Sequence, residues 1–377
     1  MDRLPFNRPY TTGHELEYIQ QAIDAGHLSG QGAFAGRCQE WLEQRTGCAR
    51  AFLTSSCTAA LEMSMLLVGV GAGDEVIMPS FTFVSTANAV ALRGATPVFV
   101  DIREDTLNLD ESLVEASVTD RTRAIVPVHY AGVGCELDAL TQLAAARGLV
   151  VIEDAAQGVM SRYRGRALGG VGALGCVSFH ETKNVIAGEG GALLVNEAAL
   201  VERTEIVQEK GTDRSKFFRG EVDKYTWVDL GSSFLSSEVN AAFLWAQLEQ
   251  AESITARRLE IWRAYHEGFA DLESRERVRR PRVPAHCDHN AHIYYLLLRD
   301  LDDRSRFIAR LAERGLQAVF HYVPLHSSRA GRRWGRADRP LPVTEAAGEA
   351  LVRLPLWPGM TDAEVDRVRE EVESALD

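Results

Sequence analysis

The sequence predicts an α/β fold, a mostly parallel sheet with helices on both faces, followed by a smaller C-terminal α+β domain. Three observations carry this. Short, nearly continuous apolar runs alternate with amphipathic helical patterns from residue 51 to residue 195. Strands of that kind are buried on both faces, which is how parallel sheets are built. Past Asn196 the pattern changes, and 237–269 reads as helical almost throughout, long enough for a strut between domains. Residues 1–250 are therefore expected to form the large domain and 251–377 the small one, a division that 377 residues with 46% hydrophobic content can support.

Taken in order, Thr12-Gly13-His14-Glu15 has capping-box spacing, and Leu16, Ile19 and Ile23 recur at helical intervals up to Gly26. A second helix is expected over 37–44, ending at Gly47. The strand 51–53 follows, and Thr54-Ser55-Ser56-Cys57-Thr58 then opens an apolar helix through Leu61, Met65 and Val68. Strands are expected at 76–78, 97–100, 124–128, 149–152, 173–179 and 192–195. The helices between them are expected at 82–92, at 110–118 with Asp110 as cap, and at 137–147. A helix over 199–210 leads into a polar, aromatic-bearing loop over 211–233. In the small domain, strands at 293–298 and 318–321 flank a helix over 304–314, an arginine-rich loop spans 329–339, and Thr361-Asp362-Ala363-Glu364 caps the last helix.

Charge and composition exclude several classes. A formal net charge of -12 gives no basic footprint for nucleic acid or an anionic membrane. Residues 1–10 lack a signal peptide's apolar core, and no run approaches the roughly eighteen apolar residues of a membrane span, so a cytoplasmic protein is expected. Six cysteines without a Cys-x-x-Cys pair argue against a zinc ribbon or a disulfide scaffold, and no metal site is expected. Gly69-Val70-Gly71-Ala72-Gly73 precedes a strand, so it is not a dinucleotide fingerprint, and no phosphate-binding Gly-x-x-x-x-Gly-Lys-Ser/Thr occurs.

In parallel sheets ligands bind beyond the carboxyl ends of the strands. Three such ends matter here. Phe83 follows the strand at 76–78, Asp154 and Gln157 follow the strand at 149–152, and Lys183 follows the strand at 173–179 ahead of the turn Gly188-Glu189-Gly190-Gly191. Each has an ordinary reading, with Phe83 as core, Asp154 as a helix cap and Lys183 as a solvated side chain. Ser56, Cys57, Thr58 and Ala59 open a helix, where free N–H groups serve either for capping or for holding a phosphate. A desolvated lysine amine, a buried acid, a stacking aromatic and a phosphate-holding helix start are the parts that hold pyridoxal phosphate.

The stretches Ser178-Phe179-His180-x-x-Lys183-Asn184, Glu153-Asp154-Ala155-Ala156-Gln157, Pro127-Val128-His129, Gly73-Asp74-Glu75-Val76 and His321-Tyr322-x-Pro324-Leu325-His326 resemble the nucleotide-sugar aminotransferases of the DegT type, in the family's order and over nearly the whole chain. Val84-Ser85-Thr86-Ala87-Asn88, the stretch 219–227 and Gly231-Ser232-Ser233 are most similar to members of that family that form dTDP-4-amino-4,6-dideoxygalactose. The resemblance implies the pyridoxal 5'-phosphate (PLP/PMP) fold type I, aspartate aminotransferase-like, as a homodimer with active sites at the subunit interface. It implies Lys183 as the cofactor-linked lysine and proton shuttle, Asp154 on the pyridine nitrogen, Phe83 on the ring and Gln157 near its phenolic oxygen. Ser178 and Cys57–Ala59 would hold the phosphate. Arg214, Tyr225, Trp227, His321 and His326 would lie near the sugar nucleotide. The implied reaction, in deoxyaminosugar biosynthesis, moves an amino group from L-glutamate to carbon 4 of dTDP-4-keto-6-deoxy-D-glucose. A 3-keto sugar, a 4-keto-pentose or a non-catalytic PLP-binding regulator are the alternatives. One departure stands out: Leu235 occupies the position where many family members carry an asparagine that reaches the neighbouring subunit's cofactor phosphate.

Overall fold

The computed structural model describes residues 3–376. Helices α1 (Glu15–Asp24) and α2 (Ala33–Thr46) precede strand β1 (Arg50–Thr54). Then come α3 (Cys57–Leu67), β2 (Glu75–Pro79), α4 (Val84–Ala91), β3 (Thr96–Val100), α5 (Glu111–Val114), β4 (Thr122–Ile125), α6 (Leu137–Arg147) and β5 (Val150–Asp154). A small hairpin, β6 (Arg162–Tyr163) and β7 (Arg166–Ala167), leads to β8 (Leu174–Ser178) and β9 (Gly191–Val195). The seven-stranded sheet has the order β1-β9-β8-β5-β4-β2-β3. Its pairs are parallel except at β9, which runs antiparallel to both β8 and β1. Strands β2, β8 and β9 are buried at every residue, as their continuous apolar runs predict.

Beyond the sheet lie α7 (Val201–Gln208), α8 (Arg214–Phe218), α9 (Glu238–Glu249), α10 (Ala251–Gly268), α11 (Ala270–Ser274) and β10 (Cys287–Asp288), which pairs with β6. The C-terminal part contains β11 (Tyr294–Leu297), α12 (Leu301–Glu313), α13 (Arg329–Trp334), α14 (Pro342–Ala350), β12 (Leu351–Leu354) and α15 (Asp362–Leu376). Its own core gathers Ile261, Tyr265, Tyr294, Leu311, Val352 and Val368, and Leu4 from the other end of the chain joins it. Ala251 still packs with the core of the large sheet.

Several elements differ from the sequence expectation, each for a local reason. The helical stretch 237–269 is two helices that break at Gln250 (φ -107, ψ 9), because α9 packs on α1 and α2 while α10 faces α15. Residues 318–321 form no strand of a sheet. Only Val319 bridges, to Arg353, and the partner of β11 is β12. The arginine-rich stretch folds in part as α13, capped by Ser328 Oγ, which accepts from Gly331 N at 3.0 Å. At α1 the helix starts at Glu15, and Thr12 is not its cap: Glu15 accepts from Thr12 N (2.6 Å), Gly13 N (2.9 Å) and Gln247 Nε2 (2.7 Å). At residue 361 the box is reciprocal as expected, Thr361 N donating to Glu364 Oε2 (2.8 Å) and Glu364 N to Thr361 Oγ1 (3.2 Å).

Candidate active site

Strand alternation sends the consecutive acids at the end of β5 to opposite faces. Glu153, fully buried, accepts from the backbone N–H groups of Gly169 (2.8 Å), Val171 (2.7 Å) and Gly172 (2.7 Å) and from His129 Nε2 (2.9 Å). The His129 proton sits on Nε2, since Nδ1 accepts from Cys135 N. Asp154 faces the cavity. Its Oδ2 accepts from Thr86 Oγ1 on α4 (2.7 Å), its Oδ1 from Ala156 N (3.2 Å), and Thr86 is itself held by Thr82 at 2.9 Å. Asp154 is 4% exposed, and burial pushes its carboxyl above the usual range against the pull of those bonds.

Beyond β8, the loop that carries Lys183 is closed by Phe179 N donating to Gly190 O (2.9 Å) and Ala187 N to Phe179 O (2.7 Å). Asn184 pins it to the far wall: its Nδ2 donates to Asn290 O (2.8 Å), and its Oδ1 accepts from His292 Nδ1 (2.9 Å). Lys183 reaches into a cavity of about 620 Å³, where its Nζ makes no hydrogen bond or ion pair with the described residues. Burial pushes its ammonium pKa down and Arg353 adds to this, while Cys57 and Asp154 oppose it.

The same cavity has a hydroxyl-lined end. Ser56 caps α3, accepting from Ala59 N at 3.1 Å, and Thr58 Oγ1 lies 2.7 Å from Ser85 Oγ in the first turn of α4. Ser178, at the end of β8, completes the wall. Gly191 lets this first turn of α3 come close, since a Cβ there would collide with Cys57 N and Ser56 C. Free N–H groups, the positive end of a helix dipole and a ring of hydroxyls make an anion cup. Phe83 sits across the mouth with 58% of its surface exposed, an open aromatic face instead of a core residue.

Comparison with known proteins gives this arrangement a family. The DegT/DnrJ/EryC1/StrS aminotransferase family matches residues 9–373. The chain belongs to that family. Among solved structures it resembles the aminotransferase TlmJ from Streptoalloteichus hindustanus, at 32% identity over 99% of both chains with a TM-score of 0.91. It also resembles S. venezuelae DesV in complex with a ketimine intermediate, at 30% identity over 100% of this chain and 99% of that one, TM-score 0.91. A putative sugar aminotransferase, Spr1654 from Streptococcus pneumoniae in its PMP form, aligns at 26% identity over 99% of both chains, again with a TM-score of 0.91. The expected fold type I architecture holds: this aminotransferase has the mostly parallel central sheet and helices of its relatives.

Of the residues singled out in the sequence, Ser56, Cys57, Thr58, Phe83, Asp154, Gln157, Ser178, Lys183 and His321 line the one cavity. Ala59 is buried behind it, its N–H taken by Ser56. Gln157 accepts from Ala131 N (2.7 Å) and donates to Tyr322 Oη (2.9 Å). His321 stacks on Tyr322 (3.6 Å between centroids), lies 2.7 Å from Tyr130 Oη, and is kept neutral by burial. His326 lies outside the cavity wall, 2.8 Å from Ser80 Oγ and 3.2 Å from Glu345. The stretch 211–233, expected as loop throughout, folds in part as α8, and Arg214 at the start of α8, Tyr225 and Trp227 all lie away from this chain's cavity: Arg214 covers Phe218, and Trp227 Nε1 donates to Asp229 O at 2.6 Å. Leu235 bridges Thr54 at the edge of the sheet. Ser85, Thr86, His292, Tyr322 and Arg353 line the cavity without a role read from the sequence. A hydroxyl pair two and three residues past Phe83 was a visible signal for the first two, whereas nothing local marked Arg353.

Proposed function

We propose that this chain is a PLP-dependent aminotransferase that moves an amino group from L-glutamate to carbon 4 of a dTDP-4-keto-6-deoxy-D-glucose-type nucleotide-sugar, releasing 2-oxoglutarate. The observation that carries the reading is Lys183: an unpaired amine with a lowered pKa, in one cavity with a buried acid and a hydroxyl-lined helix start. The residues fit the cofactor. Ser56, Thr58, Ser178 and the α3 N-terminus suit its phosphate, the open face of Phe83 its ring, Asp154 its pyridine nitrogen and Gln157 the neighbourhood of its phenolic oxygen. The Spr1654 relative has been solved in PLP and PMP forms.

Bound there, PLP supplies a ring that takes up electron density as a proton leaves the adjacent carbon. The protein does the rest. Lys183, whose ammonium pKa is lowered by burial, would hold the cofactor through Nζ, and Nζ would carry the proton between the carbon that loses it and the carbon that gains it. Asp154 keeps a negative partner in a dry wall, held by Thr86 so that it cannot turn away. The 4-keto sugar rests on the resemblance over 84–88, 219–227 and 231–233 and on the relative named as a putative sugar aminotransferase. The enzyme acts in the cytoplasm as a homodimer with its sites at the interface. Among the described residues no helix is long and apolar enough to cross a membrane.

The test is NMR analysis of the product after incubation with L-glutamate and dTDP-4-keto-6-deoxyglucose. A new amine at carbon 4, in either configuration, with one 2-oxoglutarate per amine, is expected. Turnover of a 3-keto sugar or a 4-keto-pentose alone moves the substrate elsewhere, and a cofactor-loaded protein that turns over none of them is a regulator. Borohydride reduction should fix the cofactor on Lys183, and its recovery on another lysine refutes the assignment.

A further inference from the structure

Tyr130 stands in the turn Tyr130–Gly132 that follows β4, and its backbone is held from both sides. Its N–H donates to Asn108 Oδ1 (2.8 Å), and the next residue, Ala131, sits at φ +58 in the left-handed region with its N–H on Gln157 Oε1 (2.7 Å). An alanine keeps such a backbone only where its surroundings fix it. The Tyr130 ring is 1% exposed and packs on Phe81, Tyr295 and Tyr322, with 5.2, 5.8 and 6.1 Å between centroids. Its hydroxyl is thereby fixed in place. That hydroxyl lies 2.7 Å from His321 Nδ1 and has no other hydrogen-bond partner among the described residues.

The contact can be made in two ways. A neutral imidazole carries one proton, on Nδ1 or on Nε2, and the bond made by one nitrogen decides which. With the proton on Nδ1, that nitrogen would donate to Tyr130 Oη, and the phenol proton would be left in a dry interior without an acceptor. Tyr130 is not part of the cavity wall, so nothing bound in the cavity can relieve it. With the proton on Nε2, the phenol donates to Nδ1 and both buried groups are satisfied. An orphaned buried O–H is costly enough to favour this second arrangement about tenfold or more. The imidazolium would orphan the same phenol proton, and burial, with Arg353, His292 and Lys183 nearby, opposes it as well. His321 does line the cavity, and its Nε2 has no partner among the described residues.

We infer that Tyr130 is a positioning residue that holds His321 in the tautomer with its proton on Nε2, so that the cavity wall presents an N–H donor at that point. For the proposed function, on which this part rests, the consequence is a division of labour. His321 takes an acceptor oxygen of the keto-sugar, a hydroxyl or a carbonyl. With Nδ1 occupied and Nε2 protonated, it has no lone pair with which to accept a proton, and proton transfer is left to Lys183.

The test reads the tautomer directly. Cofactor-loaded protein with nitrogen-15 labelled histidine is studied by long-range proton–nitrogen correlation NMR at neutral pH, and the His321 signal is picked out of the ten histidines by its absence from His321→Gln. The Nε2–H pattern is expected in wild type, and an Nδ1–H pattern or an imidazolium overturns the inference. In Tyr130→Phe the pattern should shift toward a mixture of the two tautomers, and KM for dTDP-4-keto-6-deoxyglucose should rise about fivefold while kcat changes by less than about twofold. An unaltered tautomer in Tyr130→Phe removes Tyr130 from the role, and a KM that stays put removes the contact of His321 with the sugar. Should Tyr130→Phe fail to fold, the wild-type spectrum still decides the tautomer. Should wild type turn over no keto-sugar, the proposed function fails, and the two spectra still decide whether Tyr130 sets the tautomer of His321.

Discussion

At residue scale, adjacent acids in one strand are tuned in opposite directions by what surrounds them. Asp154 sits in a dry wall with two hydrogen bonds, and burial raises its carboxyl above the ordinary value. A group whose folded pKa is raised contributes stability below the ordinary carboxylate range and loses it as pH rises through the raised value. Asp154→Asn stays neutral at every pH. The cofactor-free variant should therefore gain stability relative to wild type as pH rises above about 4, while turnover of the loaded enzyme falls at least about a hundredfold. Denaturant midpoints between pH 4 and pH 8, with steady-state rates, test both halves. A flat stability difference, or near-normal turnover, removes the electrostatic role. Asp154 and Lys183 were legible in the sequence because each follows an apolar strand run. Thr86 was visible only as a hydroxyl, since its bond to Asp154 exists only once α4 lies against the end of β5.

At the scale of elements, Glu153 shows how the site is held in place. It ties β5 to the 169–172 turn and to His129, so a strand, a turn and the segment after β4 share one carboxylate. Burial pushes its pKa up, but the His129 bond and the backbone N–H groups outweigh that and hold it below the ordinary value. Its stabilisation is present above the ordinary glutamate pKa of about 4.3 and is lost as pH falls through the lower folded value. Glu153→Gln places an amide against groups that donate, and should cost about 3 kcal/mol at pH 7. Urea unfolding should show that penalty shrinking below about pH 4; a constant penalty would mean that packing, and not charge, holds this junction. The elements legible in the sequence were those with a strong period or cap of their own, such as β2, β8 and α6. The break at Gln250 was not, because it comes from α9 and α10 serving different cores and not from a glycine or proline. Nor was β12, since the Leu-Val-Arg-Leu run carries a charge in mid-strand that only the cavity explains.

At the scale of the whole molecule, the 211–233 stretch, which folds in part as α8, turns large apolar side chains outward. It is a braced arm: Trp227 bridges Thr212, Thr226 N donates to Asp213 at 2.7 Å, and Arg203 and Arg219 clamp it through Asp229, Glu205 and Glu221. Yet it presents Trp227 at 74% exposure, with Phe218, Tyr225, Val228 and Leu230 also exposed. A braced loop with its large apolar side chains turned outward is the form of an interaction surface. The sequence reading set Arg214, Tyr225 and Trp227 beside the sugar nucleotide, and within one chain they are away from the cavity. Under the proposed homodimer, a second copy whose arm reaches the site of the first would reconcile the two. Light scattering should then give about twice the 41.6 kDa of one chain. The double variant Phe218→Glu/Trp227→Glu should shift that mass toward one chain, because two buried carboxylates are incompatible with the desolvated centre of an interface. It should also lower turnover of the keto-sugar more than it slows the donor half-reaction. A wild type that scatters as a single chain, or a double variant that stays paired with full sugar turnover, would remove the arm from both the dimer and the sugar site.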